Sequence, residues 1–190
     1  MVSCIMDKLN KIREIVKNET EEDYWKYHIA PVVKYAKKLA KILNVDEEIT
    51  ELAALLHDIG KSKFGSKDHE ITGIKEAEKI LKQNNYPEDI IKEVLHCIRT
   101  HRGKEDFPPK TIIAKIIANA DAMSHIDVLP FHFYFNTKFK KYSFEKIFNL
   151  VYDKYKRHWN KKITLPEARK MMQEKYKAVK LVLDSTKEYM

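Results

Sequence analysis

The stretch Leu52-Ala-Ala-Leu-Leu-His-Asp-Ile-Gly-Lys61 carries an apolar helical run into an adjacent imidazole and carboxylate, followed by a glycine and a lysine. A charged carboxylate beside an imidazole on an apolar helix is costly to bury without a partner, and a metal ion offsets that cost. His–Asp dipeptides are common, so His57 and Asp58 decide little alone. Their context decides more. Upstream, His28 lies on a helix whose apolar face includes Val32 and Tyr35. Downstream, Asp121 lies in Ile116-Ile-Ala-Asn-Ala-Asp-Ala-Met123, a second apolar run with a carboxylate in its middle. Two histidines and two aspartates from three separate helices are the donors a divalent transition metal takes. The competing reading is a buried polar cluster whose members satisfy one another.

Helical periodicity extends over nearly the whole chain. The spacing predicts helices from about Met6 to Asn18, from Glu21 to beyond Ile42, and from a cap at Asp46 to Asp58-Ile59-Gly60, with a loop over residues 61–67. Pro31 must sit in the first turns of its helix or kink it. Further helices are expected from Asp68 to Gln83, from Pro87 to near His101, and from Lys110 to about His125, with a polar loop over residues 103–109. Residues 127–141 show no clear period. Two amphipathic helices follow, at about 143–159 and 165–186. No run alternates as a strand does, and only four glycines and six prolines are present. The class is therefore all-α, a single-domain helical bundle with extra C-terminal helices. The expected divisions are an N-terminal helix over 1–20, a core over 21–126, and a C-terminal helical extension over 127–190 packed on the same domain. A chain of 190 residues is long enough for one sizeable core.

The formal charge of +8 favours anionic partners, from phosphate esters to nucleic acid. Its lysines are spread along helices in K-x-x-x-E pairs, which reads as a solvated surface rather than a nucleic-acid stripe. Cys4 and Cys97 are isolated, so neither a disulfide framework nor a zinc ribbon is expected, and a reducing cytoplasmic setting is. No secretory signal is legible, and no apolar stretch is long enough for a membrane.

The series His28, His57-Asp58-Ile59-Gly60-Lys61 and Ala120-Asp121 resembles the H…HD…D signature of the HD-domain superfamily. With Tyr86-Pro87-Glu-Asp-Ile-Ile-Lys-Glu-Val-Leu-His96-Cys-Ile98-Arg-Thr-His101, it is most similar to the small stand-alone predicted HD hydrolases. The similarity runs from about Tyr24 to His125. It implies an HD-type antiparallel helical core holding one or two divalent ions (Mn, Fe, Co, Ni, Zn or Mg), with His28, His57, Asp58 and Asp121 as ligands. It implies a metal-activated water that attacks a phosphoester or phosphoanhydride bond of a nucleotide or other small phosphate ester. Asp58 would orient the water or bridge two ions. His69-Glu-Ile-Thr-Gly73 resembles the H-x-x-x-G stretch of two-metal HD families, and His101 falls where those families place another ligand. A second ion held by His69 and His101 stays open at this point. The same four histidines and two aspartates are the residue types of di-iron HD oxygenases, an alternative function. A non-catalytic metal-bound module is a third, disfavoured because the whole signature is present.

Around this set, Lys61 reads either as a catalytic and phosphate-binding lysine or as an exposed loop lysine. Arg102 and His125 are candidate substrate-binding residues. Arg99 flanks them, and His96 is turned away from His101 by its helical position. The aromatic run Phe131-His-Phe-Tyr-Phe135 reads as core, with a pocket wall as the functional alternative. His132 and His158 carry no motif. The segment from Trp159 to Arg169 reads as added helices forming a lid or the contact of a homodimer.

Overall fold

The computed structural model describes residues 2–103 and 106–190, with side chains from Asp7 onward. The side chain of Cys4 lies outside the described residues, and Cys97 is a buried free thiol. The chain runs through α1 (Val2–Asn18), α2 (Glu22–Tyr24), a first π turn (Trp25–Ile29), α3 (Ala30–Leu43), α4 (Glu47–Leu56) and α5 (Ile59–Phe64). It continues through α6 (His69–Gln83), α7 (Glu88–Thr100), α8 (Ile112–Asp127), α9 (Leu129–Phe139), α10 (Phe144–Arg157), a second π turn (His158–Lys162) and α11 (Pro166–Lys187). The described residues contain no strand, and the fold is all-α. No helix among them is long and apolar enough to cross a membrane.

Helix α8 is the axis of the fold. Ile113, Ile116, Ile117, Ala120 and Met123 are all buried, as a helix that is apolar on every side requires. Helices α3, α4, α7 and α11 pack around it. Its first turn is capped by Thr111, whose hydroxyl accepts from the Ala114 amide at 3.1 Å. Asp46 caps α4 as expected, accepting from the Ile49 amide at 2.8 Å.

Pro31 sits in the first turn of α3. The turn before it widens into the π turn, where the Ala30 amide donates to Trp25 O. A proline ring crowds the carbonyl four residues back, and the wider turn relieves that crowding while carrying His28. Such π turns recur at functional sites.

The structure departs from the sequence-based expectation in three places. Residues 59–64 form helix α5 rather than part of a loop. Helix α4 stops at Leu56, and Asp58 O then accepts from the Lys61 and Ser62 amides at 2.9 and 3.1 Å, starting a new turn. Gly65, at φ 86°, ends it. Residues 129–139 form α9, with Pro130 in its first turn. Ile42, expected on the apolar face of α3, is 57% exposed, near the end of the helix where Asn44 turns left-handed.

The C-terminal segment is clasped to α8 by a buried asparagine. Asn119 Oδ1 accepts from the Thr164 and Leu165 amides at 2.8 and 3.0 Å, while its Nδ2 donates to Lys115 O at 2.8 Å. Trp159 stacks on Tyr176 with ring centres 4.0 Å apart. These contacts fix the second π turn beside the middle of α8.

Candidate metal centre

Six side chains meet where the first π turn, α4, α6, α7 and α8 converge. His28 Nε2 lies 3.2 Å from His57 Nε2, 3.3 Å from Asp58 Oδ2 and 3.6 Å from Asp121 Oδ1. On the other side of Asp58, His69 Nε2 lies 2.9 Å and His101 Nε2 3.5 Å from Oδ1, and these two nitrogens are 3.2 Å apart. Asp58 thus turns one oxygen towards each pair of histidines. None of the six residues is more than 8% exposed.

The hydrogen bonds fix which ring nitrogen is free. His57 Nδ1 donates to Ala54 O at 2.7 Å, His101 Nδ1 to Ile98 O at 2.7 Å, and His69 Nδ1 to Ser66 O at 3.0 Å. His28 Nδ1 donates to Ser124 Oγ at 3.3 Å, and the Ser124 hydroxyl donates to Asp121 O at 2.8 Å. A neutral imidazole that donates through Nδ1 has a lone pair on Nε2. In the half built on His28 and His57, two lone-pair nitrogens therefore lie 3.2 Å apart, an arrangement that repels without a cation between them. Asp58 Oδ1 is buried and accepts no hydrogen bond. Donors bound to one ion at 2.0–2.2 Å sit roughly 3–3.5 Å from each other, the spacing seen here. The residues fit a metal: His28, His57, Asp58 and Asp121 could hold one ion, and Asp58, His69 and His101 a second.

The electrostatics agree for most of the set. Burial pushes His57 down to about 4 and lowers His28, so both rings are neutral at pH 7. Burial opposes the charge of Asp58, but His57 and Lys61 outweigh it and hold the carboxyl well below its usual range. At Asp121, burial is likewise outweighed, here by His125 and Lys162. His69 differs: burial lowers it, yet the Asp58 carboxylate beside it raises it overall. A proton and a cation would compete for that nitrogen.

Two glycines make the meeting of α5 and α6 possible. A Cβ on Gly60 would lie 2.5 Å from Gly73 N and 2.8 Å from Gly73 Cα. Only bare backbone fits, and this close approach brings the start of α6, with His69, against Asp58. The glycines of His57-Asp58-Ile59-Gly60 and His69-Glu-Ile-Thr-Gly73 thus serve one contact.

A cavity of about 370 Å³ opens over Asp58, His69, His101 and Asp121. Lys61 lies on its wall. Its Nζ donates to Tyr24 OH, sits 4.0 Å from that ring's centre and is 3.9 Å from Asp58 Oδ2. Arg102 faces the cavity with its guanidinium held by Glu70 Oε2 at 2.9 Å. His125 also faces it, with Nε2 3.3 Å from Asp121 Oδ1 and Nδ1 hydrogen-bonded to His132 Nε2. His96 is elsewhere, accepting from the Lys110 amide at 3.1 Å, and Arg99 lies over the Phe107 ring. Phe131 packs into the core, and the aromatic run does not line the cavity.

Sequence reasoning missed several participants. Tyr24 OH donates to Asp58 Oδ2, the oxygen facing His28 and His57. Lys154, Arg157, His158, Lys161 and Lys162, from α10 and the second π turn, line the cavity. The only signal for them was the dense run of cations at 154–162.

The chain is an all-helical protein whose buried histidines and aspartates gather in groups that could hold a metal ion. The family profile described as HD domain matches residues 25–126, and the chain belongs to the HD-domain family. Over 127 residues, 60% of this chain, it is 31% identical to tRNA (cytidine(56)-2'-O)-methyltransferase of Picrophilus torridus, covering 35% of that protein. Over 99 residues, 51% of this chain, it is 38% identical to Ribonuclease Y of Alkaliphilus metalliredigens, covering 19% of it. The chain therefore spans a minor part of the length of both relatives. In fold it is similar to Bacillus subtilis YpgQ in complex with ADP, with a TM-score of 0.76, 19% identity and coverage of 98% of this chain and 97% of that one.

Proposed function

We propose that this chain is a metal-dependent phosphohydrolase cleaving a phosphoester or phosphoanhydride bond of a nucleotide or other small phosphate ester. The observation that carries the reading is the paired, lone-pair-bearing histidines around Asp58 at the floor of a cavity whose wall is cationic. A divalent ion bound there would neutralise charge on a phosphoryl oxygen and lower the pKa of a bound water towards about 7. Asp58 would orient that water, and Tyr24 OH donates to the Asp58 carboxylate at Oδ2. Lys61 brings a positive charge to the same wall. The water oxygen bonds to phosphorus while the bond from phosphorus to the bridging oxygen breaks. The electron pair leaves with the bridging oxygen, and the water's proton passes to that oxygen or to solvent.

The size of the cavity, about 370 Å³, lies within the range of small-ligand sites. That favours a mononucleotide or similar molecule over a long polynucleotide, and the ADP bound to the similarly folded YpgQ supports the same choice. The test is phosphate release from a panel of nucleotides and phosphate esters with Mn, Co, Ni or Mg added. Turnover that Asp58→Ala abolishes is expected. No turnover with any metal would overturn the reading.

A second reading draws on the same donors: four histidines and two aspartates gathered around Asp58 are the residue types of a di-iron HD oxygenase. Iron recovered with the protein, together with oxygen consumption, would favour that reading over hydrolysis.

A further inference from the structure

Charge is unevenly placed along the chain. Residues 1–126 carry 21 cations and 21 carboxylates, so the whole excess of +8 lies in residues 127–190, which carry 15 against 7. The excess is dense at Lys138-Phe-Lys-Lys-Tyr-Ser-Phe-Glu-Lys146, the turn from α9 into α10, with four lysines to one carboxylate. Among the described residues none of these four lysines forms an ion pair. Lys37, Lys63 and Lys82, in the neutral part of the chain, all do.

Every residue from Thr137 to Lys146 is exposed, so the turn projects from the fold. Three of its side chains are aromatic: Phe139 is 53%, Tyr142 43% and Phe144 63% exposed. Lysines lie against the rings, with Lys138 Nζ 5.2 Å from the Phe139 ring centre and Lys146 Nζ 3.8 Å from that of Tyr142. Apolar rings and ammonium groups thus share one projecting surface. Exposed apolar clusters of this kind mark interaction sites, and the unpaired lysines require the partner to be anionic.

The shape and the charge choose among anionic partners. A second copy of the same face would set four lysines against four, and such like-charge contact is costly. A nucleic-acid strand lies in a basic groove and stacks its bases on open ring faces. Here the turn projects, Lys146 covers Tyr142, and Phe139 packs on Phe135 with ring centres 4.6 Å apart. A lipid surface takes apolar rings into the headgroup boundary and keeps lysines among its phosphates.

We infer that the turn over residues 138–146 docks the protein on the surface of a membrane containing anionic phospholipid. Phe139 and Phe144 enter the headgroup boundary, while Lys138, Lys140, Lys141 and Lys146 pair with lipid phosphates. The attachment is peripheral and reversible, since it rests on one short turn. No residue of the turn lines the metal-centre cavity, so the inference stands apart from the reaction proposed there.

The test is co-sedimentation of the full chain with vesicles of phosphatidylglycerol or of phosphatidylcholine. The wild type should bind phosphatidylglycerol at least about tenfold more tightly, and less so as salt is raised. Lys138→Gln/Lys140→Gln/Lys141→Gln should lose at least about tenfold in that binding. Phe139→Ser/Phe144→Ser, which removes no charge, should also weaken it. Lys11→Gln/Lys17→Gln/Lys38→Gln, at exposed positions of α1 and α3, should bind as the wild type does. Melting temperatures check that each variant is folded. Three results overturn the inference: no preference for phosphatidylglycerol, an equal loss in the α1 and α3 variant, or tighter binding to poly(U) than to the vesicles, which would make the turn a nucleic-acid surface.

Discussion

Gly60 and Gly73 meet backbone to backbone, with the Gly60 nitrogen 3.3 Å from where a Cβ on Gly73 would lie. This contact holds α5 against α6, and with it His69 Nε2 at 2.9 Å from Asp58 Oδ1. Gly60→Ala must push the two helices apart. Overpacking of this kind costs about 1–3 kcal/mol or more, and about 1 kcal/mol moves the melting temperature of a chain this size by roughly 2–4 °C. A thermal melt should fall accordingly, and metal held by His69 and His101 should be lost before metal held by His28 and His57.

Ser124 touches no candidate ion, yet it accepts from His28 Nδ1 and is tied to Asp121 O. Ser124→Ala leaves the ring without the partner that fixes its tautomer. Losing such a partner typically lowers metal affinity about 10–100-fold. Competition with a chelating dye should show that drop, while circular dichroism shows an unchanged helical fold.

The two halves of the centre should be separable. In the double variant His69→Ala/His101→Ala, the half built on His28, His57 and Asp121 keeps its donors. Metal stoichiometry should fall from two ions per chain to one. A wild-type protein that binds one ion, with the double variant unchanged, would assign His69 and His101 to the pocket instead.

Lys154 gives a pH dependence with a definite sign. Its pKa falls from 10.5 when unfolded to about 8 in the fold. Burial is the main cause; Lys61 and Lys162 add to it, and Asp121 and Asp58 partly oppose it. Between those two values the unfolded chain holds a proton that the folded chain has released, so stability rises with pH there. Lys154→Met should melt above the wild type at pH 7, with the gap closing as pH rises from about 8 to about 10.5. Paired melts across that range check it.

His28, His57, Asp58 and Asp121 were legible because each stands in a short motif on an apolar helix, where a charged or polar residue needs a reason, whereas His69 and His101 were singled out only by the resemblance of their stretches and left open. The partners of these residues were not legible. Ser124, Tyr24 and Asn119 are unremarkable in sequence, and only packing shows that they hold His28, Asp58 and the C-terminal segment. The cations at 154–162 read as a solvated face, since lysines on an amphipathic helix usually are one. The fold instead brings Lys154, Arg157, Lys161 and Lys162 to the rim of the cavity. Helix α5 escaped notice because six residues containing a glycine give no periodic signal. Helix α9 escaped it because aromatics lie on its exposed side, as at Tyr134 and Phe139, as well as its buried one, as at Phe131.

The most direct test is elemental analysis of the purified protein beside its His57→Ala and Asp121→Ala variants, all shown to be folded. If imidazoles and carboxylates from distant helices share a cation, the wild type carries a divalent metal and both variants lose most of it. Full metal occupancy in both variants would contradict the assignment of this cluster as the metal centre.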